Sequence, residues 1–519
     1  MRSPRGWNRS VRRLGWSVGL VLVLAIARPE PAFAHRQPPD PASDGITLRA
    51  GAATLDITPP LGTSINGHMN DRRGTLLHDP LQVRAVTLEA ANPNAAAPQV
   101  NRVALVTVDT CLLSNGIVES VRERLARDAG FPPEALVISA THTHSGGTLA
   151  PAFQSQPDPS YVAFVTQRIG DAVLIAYSRL TPARIGWGVG TNNRQVFNRR
   201  FFMKPGVELV DPFGKPERVK MNPGVGSTQV ERPAGPVDPE VAVLRIDAVT
   251  PDQTARPLAV YANYPLHYVG DVPGNAFSAD YFGAFAARLS RLLQADDPAD
   301  HPPFVALLSN GASGDINNID VMGRVRPLEE QRRPQPPFTQ IRRVADDLAQ
   351  EVRATWENIE TTRTPRLAAL SDTLTLGVRK PNPDEVERAR RLVQPARDQG
   401  RPLKTLEEIY AGETLDLTIY PDQVEVTVSA VRVGDGVLVA IPGEPFVEIG
   451  LAIKKRSPFK STVIVGLANG YYGYLPTKSD FELGGYETWR AKSSYLEPGA
   501  AAKIQDAVDR LLQRLHSDG

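Results

Sequence analysis

The chain has 519 residues, 58 Lys+Arg against 57 Asp+Glu, 41% hydrophobic residues, 41 Gly and 46 Pro, which suits a globular protein rich in turns and excludes collagen-like repeats and wholesale disorder. Setting aside residues 1–34, with their six arginines and one glutamate, leaves 52 basic and 56 acidic residues, net −4. The charge excess of a general nucleic-acid binder is missing, and no nucleic-acid partner is expected. One cysteine, Cys111, excludes an intramolecular disulfide framework and any multi-cysteine metal site, so a metal here must be held by His, carboxylate or Tyr.

Residues 1–34 are arginine-rich, then uncharged and apolar from Leu14 to Ala27, then Ala32-Phe33-Ala34. That order predicts a cleavable signal peptide, a mature chain from about His35 with a flexible start over 35–47, and a secreted or periplasmic location. A membrane anchor is the competing reading. Fourteen helical residues reach only about 21 Å, however, against a hydrocarbon core of about 30 Å. No later stretch is long enough to span, so no transmembrane anchor is expected after cleavage.

From Ala52 onward, short apolar runs alternate with segments of helical period. A strand is predicted over 103–108, a helix over 117–126 with Ile117, Val118, Val121 and Leu125 on one face, and a strand over 135–140, which make a βαβ unit. Further strands are predicted over 258–261, 304–308, 424–433, 437–441 and 463–467, with a hairpin turn at Gly434-Asp435-Gly436 and a terminal helix over 500–515. The expected fold is α/β, with mixed β-sheets layered with α-helices in one large catalytic domain over 48–519. No internal repeat is evident. A Pro/Gly-rich segment, 204–239, and a charged one, 379–413, read either as surface excursions or as walls over a cleft.

Polar residues collect where the predicted strands end. Asp109, Thr141-His142-Thr143-His144, His267, Gly314-Asp315 and Pro442-Gly443-Glu444 each follow an apolar run, and ligands bind at the carboxyl ends of strands in α/β sheets. Extended backbone would turn His142 and His144 to one face. Imidazoles with a carboxylate suit Zn2+, the cofactor expected here.

The run Ser139-Ala140-Thr141-His142-Thr143-His144-Ser145-Gly146 resembles the hallmark of the neutral/alkaline ceramidases, zinc amidases that cleave the N-acyl bond of ceramide. Other blocks agree in order: Asp56-Ile57-Thr58-Pro59 with Gly67, His78 to Arg84, Asn263 to His267, Pro442-Gly443-Glu444, and Ala468-Asn469 through Tyr474-Leu475-Pro476-Thr477 to Tyr486-Glu487. The resemblance implies that His142, His267, Glu444 and Tyr474 hold zinc. It also implies that Tyr486 bonds the substrate carbonyl and His144 orients the reacting groups. An arginine after an Asn-Arg pair lines the family's pocket; Arg194 and Arg199 both fit, and Arg199 is preferred.

Two departures matter. Asn317, in Gly314-Asp315-Ile316-Asn317-Asn318-Ile319, stands where the family has serine, and the immunoglobulin-like carboxyl-terminal domain of the family is not expected here. A carboxamide cannot replace that hydroxyl, so zinc-activated water is the favoured nucleophile, with Asn317 bonding substrate and Asp315 accepting a proton, tuning a histidine or capping a helix. The expected activity is hydrolysis of ceramide or a related N-acyl lipid, with a place in sphingolipid metabolism. A zinc hydrolase of another amide or ester, a barrel-type amidohydrolase with its own His-x-His, and an exported zinc-pocket protein without turnover are the alternatives. The Tyr474/Tyr486 block argues against the barrel.

Overall fold

Strands of Val, Leu, Ile and Ala that are apolar on both faces need cover on both sides, and one plan provides it three times among the described residues. The computed structural model describes residues 48–91, 100–295, 297 and 302–517; the expected signal peptide and the 35–47 segment lie outside them. The first unit is β1 (Leu48–Asp56), β2 (Gln82–Ala91), β3 (Val100–Val108), α1 (Asn115–Ala129), β4 (Leu136–Ala140) and α2 (Pro159–Ser178). The second is β5 (Thr181–Thr191), β6 (Glu240–Val249), β7 (Ala255–Tyr264), α3 (Asp280–Leu292), β8 (Val305–Asn310) and α4 (Thr339–Glu357). The third is β9 (Leu367–Gly377), an inserted pair α5 (Pro383–Asp398) and α6 (Leu406–Asp416), then β10 (Gln423–Val433), β11 (Gly436–Ala440), α7 (Val447–Arg456), β12 (Ser461–Val465) and α8 (Ala500–Ser517).

In every unit the first two strand pairs are antiparallel and the third is parallel, closed by a helical crossover. Units one and two join edge to edge through just two residue pairs, Arg49↔Pro182 and Ala50↔Thr181. The result is an eight-stranded sheet, β8-β7-β6-β5-β1-β2-β3-β4, beside a four-stranded sheet, β9-β10-β11-β12. The expected α/β class and the βαβ unit are borne out, and the repeat the sequence hides is one of topology.

The inner faces share one core, in which Leu88 and Leu105 meet Leu244 and Leu307 and also Val431 and Leu438. Each outer face has its own helices: Val121 of α1 and Val165 of α2 cover the first unit, Phe285 of α3 and Leu348 of α4 the second, and Ile453 of α7 and Leu511 of α8 the third. Each such side chain contributes roughly 1.5–3 kcal/mol by leaving water. Local signals set the element ends. Ser114 caps α1, whose first turn its hydroxyl bonds at Ile117 N, and the hairpin between β10 and β11 turns at Gly434 with φ +64°. Among the described residues no helix is long and apolar enough to cross a membrane.

This strand order makes the first, third and fourth strands of a unit run the same way, so three connections per unit leave from one end. Those ends are tied across units by buried carboxamides. Asn469, after β12, accepts from Ile138 N at 2.9 Å and donates to Leu136 O at 2.9 Å on β4. Asn310, closing β8, donates to Thr141 O at 2.7 Å, and Asn263 of β7 donates to Ile464 O of β12 at 3.0 Å. Replacing Asn469 with Ala removes both side-chain bonds and strands two buried backbone groups. We expect a loss of about 2–4 kcal/mol in the free energy of unfolding, read from denaturant titration; an unshifted midpoint would mean the strand ends are held by something else.

Candidate metal centre

Each unit sends a titratable side chain to the point where these ends meet: His142 after β4, His267 after β7 and Glu444 after β11. All three are at least 97% buried. Their donor atoms converge, with His142 Nε2 3.0 Å from His267 Nε2 and Glu444 Oε2 3.3 Å and 3.5 Å from those two nitrogens. Donors bound to one tetrahedral zinc at about 2.0–2.1 Å stand about 3.3 Å apart, so the trio matches three corners of such a site. Glu444 Oε2 is buried and makes no hydrogen bond, which also fits a cation. The three residues form a group able to hold a metal ion.

The outer atoms of the trio are fixed. His142 Nδ1 meets Cys111 O at 2.6 Å, His267 Nδ1 meets Ser313 O at 3.1 Å, and the Tyr471 hydroxyl donates to Glu444 Oε1 at 2.8 Å. Carbonyl acceptors at Nδ1 put the proton there and leave Nε2 as the inward ligand atom. Burial alone would lower the His142 pKa, but the neighbouring Glu444 carboxylate and Cys111 outweigh it and hold the imidazole well above its ordinary value. Burial and the charge at His142 push His144 and His267 well below theirs, so both stay neutral. Glu444 is lowered in spite of burial, chiefly by His142.

His144 comes within reach by a different route from the expected one. His142 has φ +64°, so the His-x-His segment is a turn rather than extended strand, and alternation does not align the two rings. The turn itself brings His144 Nε2 to 3.2 Å from His142 Nε2, with the rings at 85°. His144 stacks on Tyr268 at 3.6 Å between centroids, and its buried Nδ1 has no hydrogen-bond partner. Gly67 backs the ring at φ +97°; a Cβ there would lie 2.3 Å from the imidazole.

A second cluster adjoins the trio. Tyr474 lies opposite Glu444 in a short parallel pairing, the Arg199 guanidinium lies 5.4 Å from its ring centroid, and its ring is 5.8 Å from that of Tyr486. Arg199 Nε donates to Glu487 Oε1 at 2.7 Å, in an ion pair with side chains 6% and 0% exposed, while its Nη2 is buried without a partner. Burial opposes its charge, but Tyr474 and Glu487 hold the guanidinium pKa well above normal. Burial raises both the Tyr474 and the Tyr486 phenol above their ordinary values. Arg194 instead pairs with Asp347 at 3.3 Å with its side chain 55% exposed; of the two arginines it is Arg199 that lies beside Tyr474.

Asp315 and Asn317 sit one layer further out. Asp315 Oδ1 accepts from Val447 N at 2.8 Å, at the start of α7, and Oδ2 accepts from Asn198 Nδ2 at 2.7 Å; its backbone carbonyl accepts from Arg199 N at 2.9 Å. Asn317 donates to Asn222 Oδ1 at 2.7 Å and accepts from Ile319 N at 3.0 Å. Both segments open to either reading send a residue to Trp489. Glu217, from the first, accepts from Trp489 Nε1 at 2.6 Å, and Tyr410, from the second, packs on Trp489 at 5.3 Å; Trp489 in turn lies 5.8 Å from Tyr486. A cavity of about 320 Å³ lies between them, bounded by Phe213, Glu217, Trp489 and Arg490.

Compared by sequence, the chain matches no family model and no curated protein. Compared by fold, it is similar to solved structures of ceramidases. It is similar to the neutral ceramidase from Pseudomonas aeruginosa, with TM-score 0.65 and 17% identity over 92% of this chain and 75% of that one. It is also similar to a ceramidase complexed with C2, with TM-score 0.64 and 16% identity over 91% and 76%. The likeness read from the sequence is borne out in the fold.

Burial raises the Asp315 carboxyl from 3.8 to about 7. A raised acid binds its proton more tightly in the native state, so its contribution to stability is lost as pH rises from about 4 through 7. Asp315→Asn removes the titration. The difference in Tm between variant and wild type should therefore move by a few degrees in the variant's favour between pH 5 and pH 8; a constant difference in thermal melts would contradict the assignment.

Proposed function

We propose that the chain is an exported zinc-dependent hydrolase that cleaves the N-acyl amide of ceramide or a related N-acyl lipid, with 48–519 as its catalytic domain. The observation that carries this reading is the buried convergence of His142, His267 and Glu444, with Glu444 Oε2 left unpartnered, in a fold shared with neutral ceramidases. In this reading His142, His267, Glu444 and Tyr474 hold the ion. Zinc held there supplies Lewis acidity and lowers the pKa of water toward about 7, which removes the need for a serine at 317.

The remaining steps belong to the side chains. Tyr486, a protonated phenol, donates to the substrate carbonyl oxygen, and Arg199 turns its unpaired Nη2 toward the negative charge that grows on that oxygen. His144, kept neutral by burial and by His142, presents Nε2 3.2 Å from His142 Nε2, and with that nitrogen takes a proton and returns it to the leaving amine. Asp315 supports this from behind by fixing the loop that carries Arg199. Asn317 offers its second N–H to the substrate. The stacked Tyr268 limits the rotation of His144 and restricts water around it.

Labelled N-acyl lipids, simple amides and esters should be incubated with the protein and released fatty acid followed by mass spectrometry. We expect release from N-acyl lipids that stops on chelation and returns with zinc. Release indifferent to chelation defeats the metal reading, ester-only turnover redirects the substrate class, and bound zinc without turnover on any substrate favours a binding protein. His267→Ala should abolish zinc retention by elemental analysis. Tyr486→Phe should keep its zinc but lose about 10²–10³-fold in kcat; unchanged kcat would remove Tyr486 from the reaction.

A further inference from the structure

We propose that Tyr471 is a positioning residue for the metal centre, holding Glu444 so that a single carboxylate oxygen, Oε2, faces the two imidazoles. The inference rests on the zinc reading above. Each of the three converging side chains is fixed by a hydrogen bond at its outer atom, and in two of them the partner is a backbone carbonyl, Cys111 O or Ser313 O. For Glu444 the partner is a side chain, the Tyr471 hydroxyl at 2.8 Å from Oε1. A carboxylate can meet a divalent ion with one oxygen or with both. A phenol donating to Oε1 withdraws that oxygen and leaves Oε2 to the centre, where it stands 3.3 and 3.5 Å from the imidazole nitrogens with no hydrogen bond of its own.

Tyr471 is itself held from two sides. Its backbone N–H donates to Asn115 Oδ1, in the first turn of α1, at 2.9 Å. Its ring packs on the small apolar cluster of Cys111, Leu112 and Ala150, so the residue that aims the carboxylate of the third unit is braced by the first. On its other side the ring borders a cavity of about 220 Å³ that also meets Phe153, Glu413 and Tyr495. The phenol therefore forms the partition between Glu444 and that cavity. This role differs from that of Tyr474, which the zinc reading places on the ion.

The test is zinc affinity, which needs no substrate. Metal-stripped wild type and Tyr471→Phe are titrated with zinc against a chromophoric chelator, and the unfolding midpoint of each metal-free protein is recorded. We expect one zinc per wild-type chain and a 10–100-fold weaker dissociation constant for Tyr471→Phe, with metal-free midpoints alike. Asn115→Ala, which loosens the Tyr471 backbone and leaves the phenol in place, should weaken zinc by a smaller factor and keeps the question answerable if the Phe variant folds poorly. Equal affinity of Tyr471→Phe and wild type, within twofold, overturns the positioning role alone. A wild type that takes up no zinc overturns the metal reading and this inference with it.

Discussion

Three strand ends from three units are clamped together by the carboxamides of Asn263, Asn310 and Asn469, and everything at the centre depends on that clamp. An edge strand such as β4 carries carbonyl and N–H groups with no partner in its own sheet, and burying them unpaired costs about 1–3 kcal/mol each. An amide side chain has both a donor and an acceptor, so Asn469 satisfies an N–H and a C=O of β4 together. The sheets can approach closely at their ends only because these groups are paired. That approach brings residues 142, 267 and 444 within contact although they are far apart in the chain.

The electrostatics divides into two neighbouring clusters with different problems. In one, two imidazoles and a carboxylate are buried with their lone pairs facing one another, an arrangement that repels unless a cation or proton lies between them. The raised pKa of His142, set by Glu444 against the opposing effect of burial, reflects that demand. In the other, the Arg199 cation is buried beside Glu487. Burying an isolated charge costs several kcal/mol, and a paired one is tolerated when its geometry is good. The pair occupies Nε of the guanidinium and leaves Nη2 buried without a hydrogen-bond partner.

Much of the fold was legible in the sequence because strands buried on both faces leave continuous apolar runs; those predicted from 258, 304, 424, 437 and 463 onward all form. The repeat was not. The segments between first and second strands, 57–81, 192–239 and 378–422, differ in length and composition and obscure the common strand order. His142, His267 and Glu444 were readable as polar residues ending apolar strands. Tyr471 was not, since a tyrosine near other tyrosines carries no mark of a bond to a glutamate 27 residues earlier. The carbonyls of Cys111 and Ser313 belong to the backbone and have no signature in residue type. Arg194 and Arg199 each follow an asparagine, and what separates them is a distant partner, Asp347 for the first and Glu487, 288 residues downstream, for the second. The extended geometry expected for His142 and His144 failed because the chain turns at His142, where positive φ leaves no trace in the pattern of residues.

The connections that leave the first strand of each unit reach the centre without supplying any of the three convergent side chains. They carry Gly67 and Arg199, which back and border it, and Tyr410, which packs on Trp489 beside Tyr486. The converging groups come from the chain just past third and fourth strands: His142 after β4, His267 after β7 and Glu444 after β11. The three convergent side chains are thus encoded on stretches of chain separate from these connections, although Arg199 beside them comes from one. Lengthening one of the long connections would change the surface around the centre while His142, His267 and Glu444 stay in register, so the scaffold lets the surroundings of the centre vary without disturbing the three groups that form it.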